Sequence, residues 1–220
     1  MEPRRLSGAV ALLAGGTAAL AHGGHGNARG HGKHVANAAT VVYTLDGNHG
    51  NPEGVAFDKR SGNLFVSSAG DGSIWRGTLG QTSTPVPVFI PGGASNSATG
   101  MKAFKGRLYV SGAMTGTIKV YDVKTGTLLA TFDTTGGSSA PTFINDLVVT
   151  RDGDVFATDS FRPALYHLTA AEIAAGTPAP KPIDPTDVID TGPEMPFDST
   201  AGAFNLNASP TSVAAITTTG

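Results

Sequence analysis

The sequence of 220 residues contains no cysteine and few charged residues, and both shortages limit what the protein can do. Without cysteine there can be no disulfide framework, no thiol nucleophile and no thiolate zinc site. The 15 basic and 17 acidic residues nearly balance, and the formal net charge is −2. No basic stripe is interleaved with aromatic residues. The composition therefore argues against nucleic acid as a partner.

Helical periodicity is also nearly absent. Only residues 168–176 have a pattern that could form two turns of helix, within a connecting loop. Glycine and proline are abundant instead, at 30 and 14 residues, as in proteins built from short strands joined by turns. The hydrophobic content of 40% is enough for one sizeable core. We therefore expect an all-β protein.

The first 21 residues have the organisation of an export signal. Arg4 and Arg5 form a charged start, a short apolar run follows, and residues 19–21 fit a small-x-small cleavage site. The apolar run is shorter than the roughly 20 residues that a membrane span needs. We expect residues 1–21 to be a signal peptide cleaved after Ala21, with a secreted, extracellular product and no stable membrane span.

Residues 22–40 are rich in histidine and glycine. Imidazoles bind transition metals, but a segment with this much glycine cannot hold them in a fixed geometry. We interpret the segment as a flexible linker. Loose copper or nickel binding is an alternative that the sequence leaves open, through the histidines at positions 22, 25, 31 and 34.

A repeated unit follows from residue 41 onward. Residues 51–79, 98–132 and 143–168 each contain an apolar strand, a charged glycine turn, a strand with a central aromatic residue, and a further strand. The aromatic centres are Phe65, Tyr109 and Phe156, at spacings of 44 and 47 residues. This period is typical of β-propeller blades, whereas a sandwich would not need so regular a repeat. The pattern predicts a partial β-propeller over 41–220, with about three blades and the start of a fourth.

Polar residues begin the first strand of each repeat, where a propeller strand lines the central channel. Aligning the repeats brings Glu53, Thr99 and Asn145 to equivalent positions, each 46 residues apart, and Asn207 begins a fourth candidate repeat 62 residues later. One carboxylate and two amide oxygens would then meet at the channel mouth. Such hard oxygen ligands suit Ca²⁺, with Mg²⁺, Mn²⁺ or Zn²⁺ as alternatives. The alternative is a purely structural role, in which these residues only cap local turns.

The stretches "PEGVAFD", "FINDLVVTRDGDVFATDS" and "NLN" at 205–207 resemble the regucalcin/gluconolactonase family of six-bladed propellers, which is related to strictosidine synthase and paraoxonase. The resemblance covers roughly residues 50–210. It implies a divalent metal bound by Glu53, Asn145 and Asn207, and hydrolysis of a lactone or ester. Six blades would need a longer chain, so we expect a truncated propeller that lacks the aspartate of a later blade.

Three functions are consistent with these residues. The first is a secreted metal-dependent lactonase or esterase, in which Thr99 and His49 contact the substrate. Asp146 is then the nearest candidate for proton transfer, although strand alternation turns it away from Asn145. The second is a non-catalytic propeller that binds a ligand or protein. The third is metal scavenging by the histidine-rich segment. Fold alone does not choose among them.

Overall fold

The computed structural model describes residues 9–10, 43–47, 51–80 and 85–191. The predicted linker lies outside these ranges, as does the predicted signal peptide except for β1 (Ala9–Val10), which pairs with β2 (Tyr43–Thr44). In the described part the only α-helix has six residues, and no helix there is long and apolar enough to cross a membrane.

Three blades of a β-propeller, each with four antiparallel strands, confirm the predicted partial propeller. The predicted start of a fourth blade lies outside the described residues. Blade 1 consists of β3 (Pro52–Asp58), β4 (Asn63–Ser68), β5 (Ile74–Thr78) and β6 (Val88–Ile90). Blade 2 consists of β7 (Met101–Phe104), β8 (Arg107–Ser111), β9 (Thr117–Asp122) and β10 (Leu128–Asp133). Blade 3 consists of β11 (Ile144–Val149), β12 (Val155–Asp159), β13 (Ala164–Leu168) and β15 (Val188–Asp190).

The connection between the last two strands of blade 3 contains the short helix that the sequence predicts. The helix α1 (Ala170–Ala175) begins at a capping box, in which the Thr169 side chain accepts from Glu172 N and the Glu172 carboxylate accepts from Thr169 N. The connection continues through β14 (Pro180–Pro182) and a 3₁₀ turn (Pro185–Asp187). Strand β14 pairs in parallel with β10 of blade 2. Blade 3 is thereby tied to the outer edge of blade 2, a contact that the repeat pattern does not predict.

Apolar side chains on both faces of the blades build the core. One cluster lies between blades 1 and 2, and another lies between blades 2 and 3. A third cluster covers the other face of blade 1 with residues that include Tyr43. Blade 2 is therefore buried on both faces, which explains why four consecutive residues of β8 are buried. The largest fully buried side chains are Trp75, Tyr166, Phe65 and Phe132.

A β-bulge interrupts the start of the first strand in blades 1 and 3. Pro52 pairs with Ser68, but the next pair is Val55 with Val66, so two residues of β3 face one residue of β4. The same irregularity lies in β11, between its first pair and Leu147. A bulge bends the strand and changes the direction of the side chains it contains. Glu53 and Gly54 therefore occupy the bulge of blade 1, as Asn145 and Asp146 occupy that of blade 3.

Glycine and buried hydroxyl groups allow the first strands of neighbouring blades to meet. Gly54 N donates to Ser67 Oγ at 2.8 Å, and Ser67 Oγ lies 2.7 Å from the carbonyl oxygen of Thr99 in blade 2. Thr99 Oγ1 in turn lies 2.9 Å from the carbonyl oxygen of Ile144 in blade 3. A Cβ atom at Gly54 would overlap the Thr99 carbonyl group, so this approach requires glycine.

Replacing Gly54 tests this close approach. We expect Gly54→Ala to lower the free energy of unfolding by about 2–3 kcal/mol, because the new methyl group must push blades 1 and 2 apart. Gly93→Ala is the matched control, since a Cβ atom there meets nothing within 4 Å and its φ is not positive. Urea unfolding of both variants measures the difference. Equal stability of the two would contradict the proposed constraint.

Candidate functional site

A cavity of about 320 Å³ lies where the first strands of the three blades begin. Each blade contributes to its wall, and the lining combines charged, amide and apolar groups. The lining residues are Glu53, Gly54, Val55, Gly100, Met101, Lys102, Asn145 and Asp146. Two of the metal ligands that the sequence predicts, Glu53 and Asn145, thus line one cavity although they are 92 positions apart.

Glu53 projects from the bulge of β3 and keeps an exposed surface. Partial burial raises the pKa of its carboxyl group above the ordinary value, and the neighbouring Asp146 carboxylate raises it further. Lys102 acts in the opposite direction. The Glu53 carboxylate of blade 1 is therefore influenced by the charges of Lys102 on blade 2 and Asp146 on blade 3.

Asn145 is half-buried, and a hydrogen bond sets the orientation of its amide. Its Nδ2 atom donates to Ser160 Oγ at 3.0 Å. Ser160 is itself buried, and its N–H group donates to the carbonyl oxygen of Phe143. The nitrogen of the amide is thereby engaged, which leaves Oδ1 as the atom of Asn145 that can bind a cation. The structure thus gives Ser160 a supporting contact with a cavity residue.

Asp146 lines the cavity together with Asn145, although strand alternation predicts opposite directions for the two side chains. The bulge explains the difference, because it interrupts the alternation between Ile144 and Leu147. Asp146 Oδ1 accepts from Leu147 N at 2.7 Å and lies 3.5 Å from Lys102 Nζ. The one signal of this arrangement in the sequence is that polar residues occupy both consecutive positions.

The remaining predicted site residues have different placements. Thr99 is buried, and its hydroxyl lies within hydrogen-bonding distance of the carbonyl oxygens of Ser111 and Ile144. Thr99 is not among the cavity-lining residues, so these contacts give it a structural role, and its contact with a substrate stays a prediction. His49 and Asn207 lie outside the described residues.

The donor atoms of the cavity fit a hard cation. Two carboxylates and one amide oxygen are available, and Ca²⁺ and Mg²⁺ bind oxygen ligands of these kinds. Within the described ranges, no three side chains of histidine, cysteine, aspartate or glutamate lie close enough together to hold a metal ion. Zinc, which prefers nitrogen and sulfur ligands, therefore fits this donor set less well.

Comparisons with known proteins assign the chain to no family. No family model matches the sequence, and no curated protein matches it. Similar solved structures include the computationally designed Ika4 protein, at 14% identity over 58% of this chain and 72% of Ika4, with a TM-score of 0.42. Hydrazine synthase of Kuenenia stuttgartiensis is 17% identical over 64% of this chain and 38% of its own, with a TM-score of 0.48. Virginiamycin B lyase of Staphylococcus aureus is 17% identical over 59% of this chain and 42% of its own, with a TM-score of 0.48. The chain matches less than half the length of either enzyme chain.

The raised pKa of Glu53 predicts how stability depends on pH in metal-free buffer with EDTA. Above this pKa, the ionised carboxylate destabilises the folded state relative to the unfolded state. Glu53→Gln removes that cost, so we expect it to stabilise the protein at pH 7 by less than about 1 kcal/mol, because the exposed group is screened. The gain should disappear as the pH falls below the unfolded pKa of Glu53, where the carboxyl is protonated in both states.

Glu172→Gln is the contrasting control. Burial opposes the shift, but hydrogen bonds from Thr169 N and Oγ1 lower the pKa of Glu172 overall. Its ionised form therefore stabilises the fold above the unfolded pKa, and that stability is lost as the pH falls. We expect this variant to lose stability at pH 7. Thermal unfolding between pH 4 and pH 8 measures both, and a shift of the same sign in the two variants would contradict the assignment.

Proposed function

We propose that the cavity binds a divalent cation, with Ca²⁺ as the first candidate, and that the protein uses it to hydrolyse a lactone or ester. The observation that carries this proposal is that Glu53 and Asn145, from separate blades, line one cavity. Glu53 Oε atoms and Asn145 Oδ1 would hold the cation. Asn207, which the family resemblance adds as a ligand, is part of the proposal. Export of the chain by its predicted signal peptide is also part of the proposal.

The chemistry follows from the groups that surround the cavity. A bound cation would polarise the carbonyl group of the substrate and lower the pKa of a water molecule. Asp146 is the proposed proton acceptor, because Oδ1 is engaged by Leu147 N and Oδ2 remains to take a proton. Val55, which is partly exposed, would supply apolar surface for the carbon skeleton. The proposed proton acceptor therefore lies next to Asn145, one of the proposed cation ligands, on the wall of the same cavity.

A non-catalytic propeller that binds a small ligand or protein is the second candidate. Among the described residues that line the cavity, only three have side chains with oxygen atoms, whereas Ca²⁺ takes six to eight oxygen ligands. A site with so few protein ligands can hold a cation weakly and need not activate water. Both candidate functions would use the same cavity, but only the first includes turnover of a substrate.

Thermal unfolding with and without calcium tests the cation site. Calcium at about 100 times its dissociation constant should stabilise the full chain by roughly 2.7 kcal/mol, because it binds only the folded state. Glu53→Ala and Asn145→Ala should lose most of this gain. Asp152→Asn, which removes an exposed carboxylate in a turn of blade 3, should keep it. Equal stabilisation of all four proteins would contradict the assignment of these ligands.

Turnover separates the two candidate functions. We expect release of acid from a panel of small lactones and aryl esters, followed in a pH-stat, and its loss in EDTA. Asp146→Asn should lower kcat by about 10²–10⁴-fold, the usual contribution of a general base. Calcium should still stabilise this variant against thermal unfolding, and this control would show that its cation site is intact. Calcium binding without turnover on any substrate would favour the non-catalytic propeller.

A further inference from the structure

We propose that the Lys102 ammonium is the counter-cation of the cavity. It balances the charge of the carboxylates when no divalent cation is bound, and a divalent cation must displace it in order to bind. This inference rests on the proposed cation site. It concerns a residue of blade 2 that neither the repeat pattern nor the family resemblance singles out. Its consequence is that Lys102 sets the cation concentration at which the site fills.

The position of Lys102 carries the inference. It lies on β7, the first strand of the middle blade, between the strands that bear Glu53 and Asn145. Among the described residues that line the cavity, it is the only one with a positive side chain. Its Nζ atom lies 3.5 Å from Asp146 Oδ1, and its charge also acts on Glu53. A single ammonium group therefore acts on both carboxylates.

The charges of the cavity make the two cations competitors. With both carboxylates ionised, Lys102 reduces the net charge of the lining from −2 to −1. A divalent cation held by Glu53 and Asn145 would repel the ammonium and weaken its contact with Asp146. The side chain of Lys102 is 42% exposed, and its flexible stem allows the ammonium to move into solvent. Exchange therefore requires no change in the blades.

The same exchange would make Asp146 available when the cation arrives. Without a cation, the ammonium neutralises Asp146 and reduces the repulsion between two carboxylates on neighbouring blades. With a cation, the ammonium leaves and Asp146 Oδ1 loses this contact. Lys102 is thus a positioning residue that stabilises the empty cavity at the expense of cation affinity.

The test is calcium titration of the full chain by calorimetry, with wild type, Lys102→Met and Lys102→Arg. We expect Lys102→Met to bind calcium about tenfold more tightly, because a charge repelled by the bound cation has been removed. The same variant should be less stable than wild type in EDTA. Lys102→Arg retains the charge and should bind calcium nearly as wild type does. Lys124→Met, which removes an exposed charge from the same blade, should have little effect.

Three outcomes are informative. If wild type binds calcium and Lys102→Met binds it equally or more weakly, the counter-cation proposal is wrong while the cation site stands. If neither protein binds calcium, the proposed cation site fails, and this inference fails with it. Should Lys102→Met not fold, the lysines of wild type can be dimethylated, which keeps their charge, and followed by ¹³C NMR. A Lys102 methyl signal that does not respond to calcium would then overturn the proposal.

Discussion

The close approach of the first strands of the three blades sets the relative position of the strand starts that form the cavity. At Gly54 the strand of blade 1 comes so near the Thr99 carbonyl that only a hydrogen atom fits between them. Buried hydroxyls of Ser67 and Thr99 supply polar contacts across both junctions, together with backbone hydrogen bonds such as that from Gly100 N to the carbonyl oxygen of Asn145. Because buried carbonyl groups left without partners are costly, these hydroxyls hold the blade starts in one relative position. The cavity exists because the three strand starts are held there.

Packing behind these starts explains why polar residues can occupy them. The blades bury apolar side chains against each other on both faces of blade 2, and this burial supplies the main stabilising free energy. The strand starts lie at the edge of that core, where Glu53 is exposed and Asn145 is half-buried. A carboxylate and an amide are therefore tolerated at these strand starts, whereas they would destabilise the fold in the buried middle of a strand.

Charge in the cavity is arranged across blades rather than within one. Asp146 of blade 3 and Lys102 of blade 2 form an ion pair, and both act on Glu53 of blade 1. Each blade thus contributes a charge of known sign to a common space that opens to solvent. A partly exposed ion pair of this kind contributes little to stability. Its placement on the cavity wall is what the proposed role of Lys102 in cation binding rests on.

The sequence predicts the strands, their period and the equivalence of Glu53, Thr99 and Asn145, because these depend on local alternation and turn chemistry. It also indicated α1, through the pattern of residues 168–176. Which of these residues share the cavity depends on how the blades pack against each other. Thr99 is buried in contacts between blades, whereas the bulge of β11 brings Asp146 to the wall. The pairing of β14 with β10 and the contact of Lys102 with Asp146 were likewise invisible in the sequence. These features join residues of different blades, and contacts between blades leave no periodic pattern in the chain.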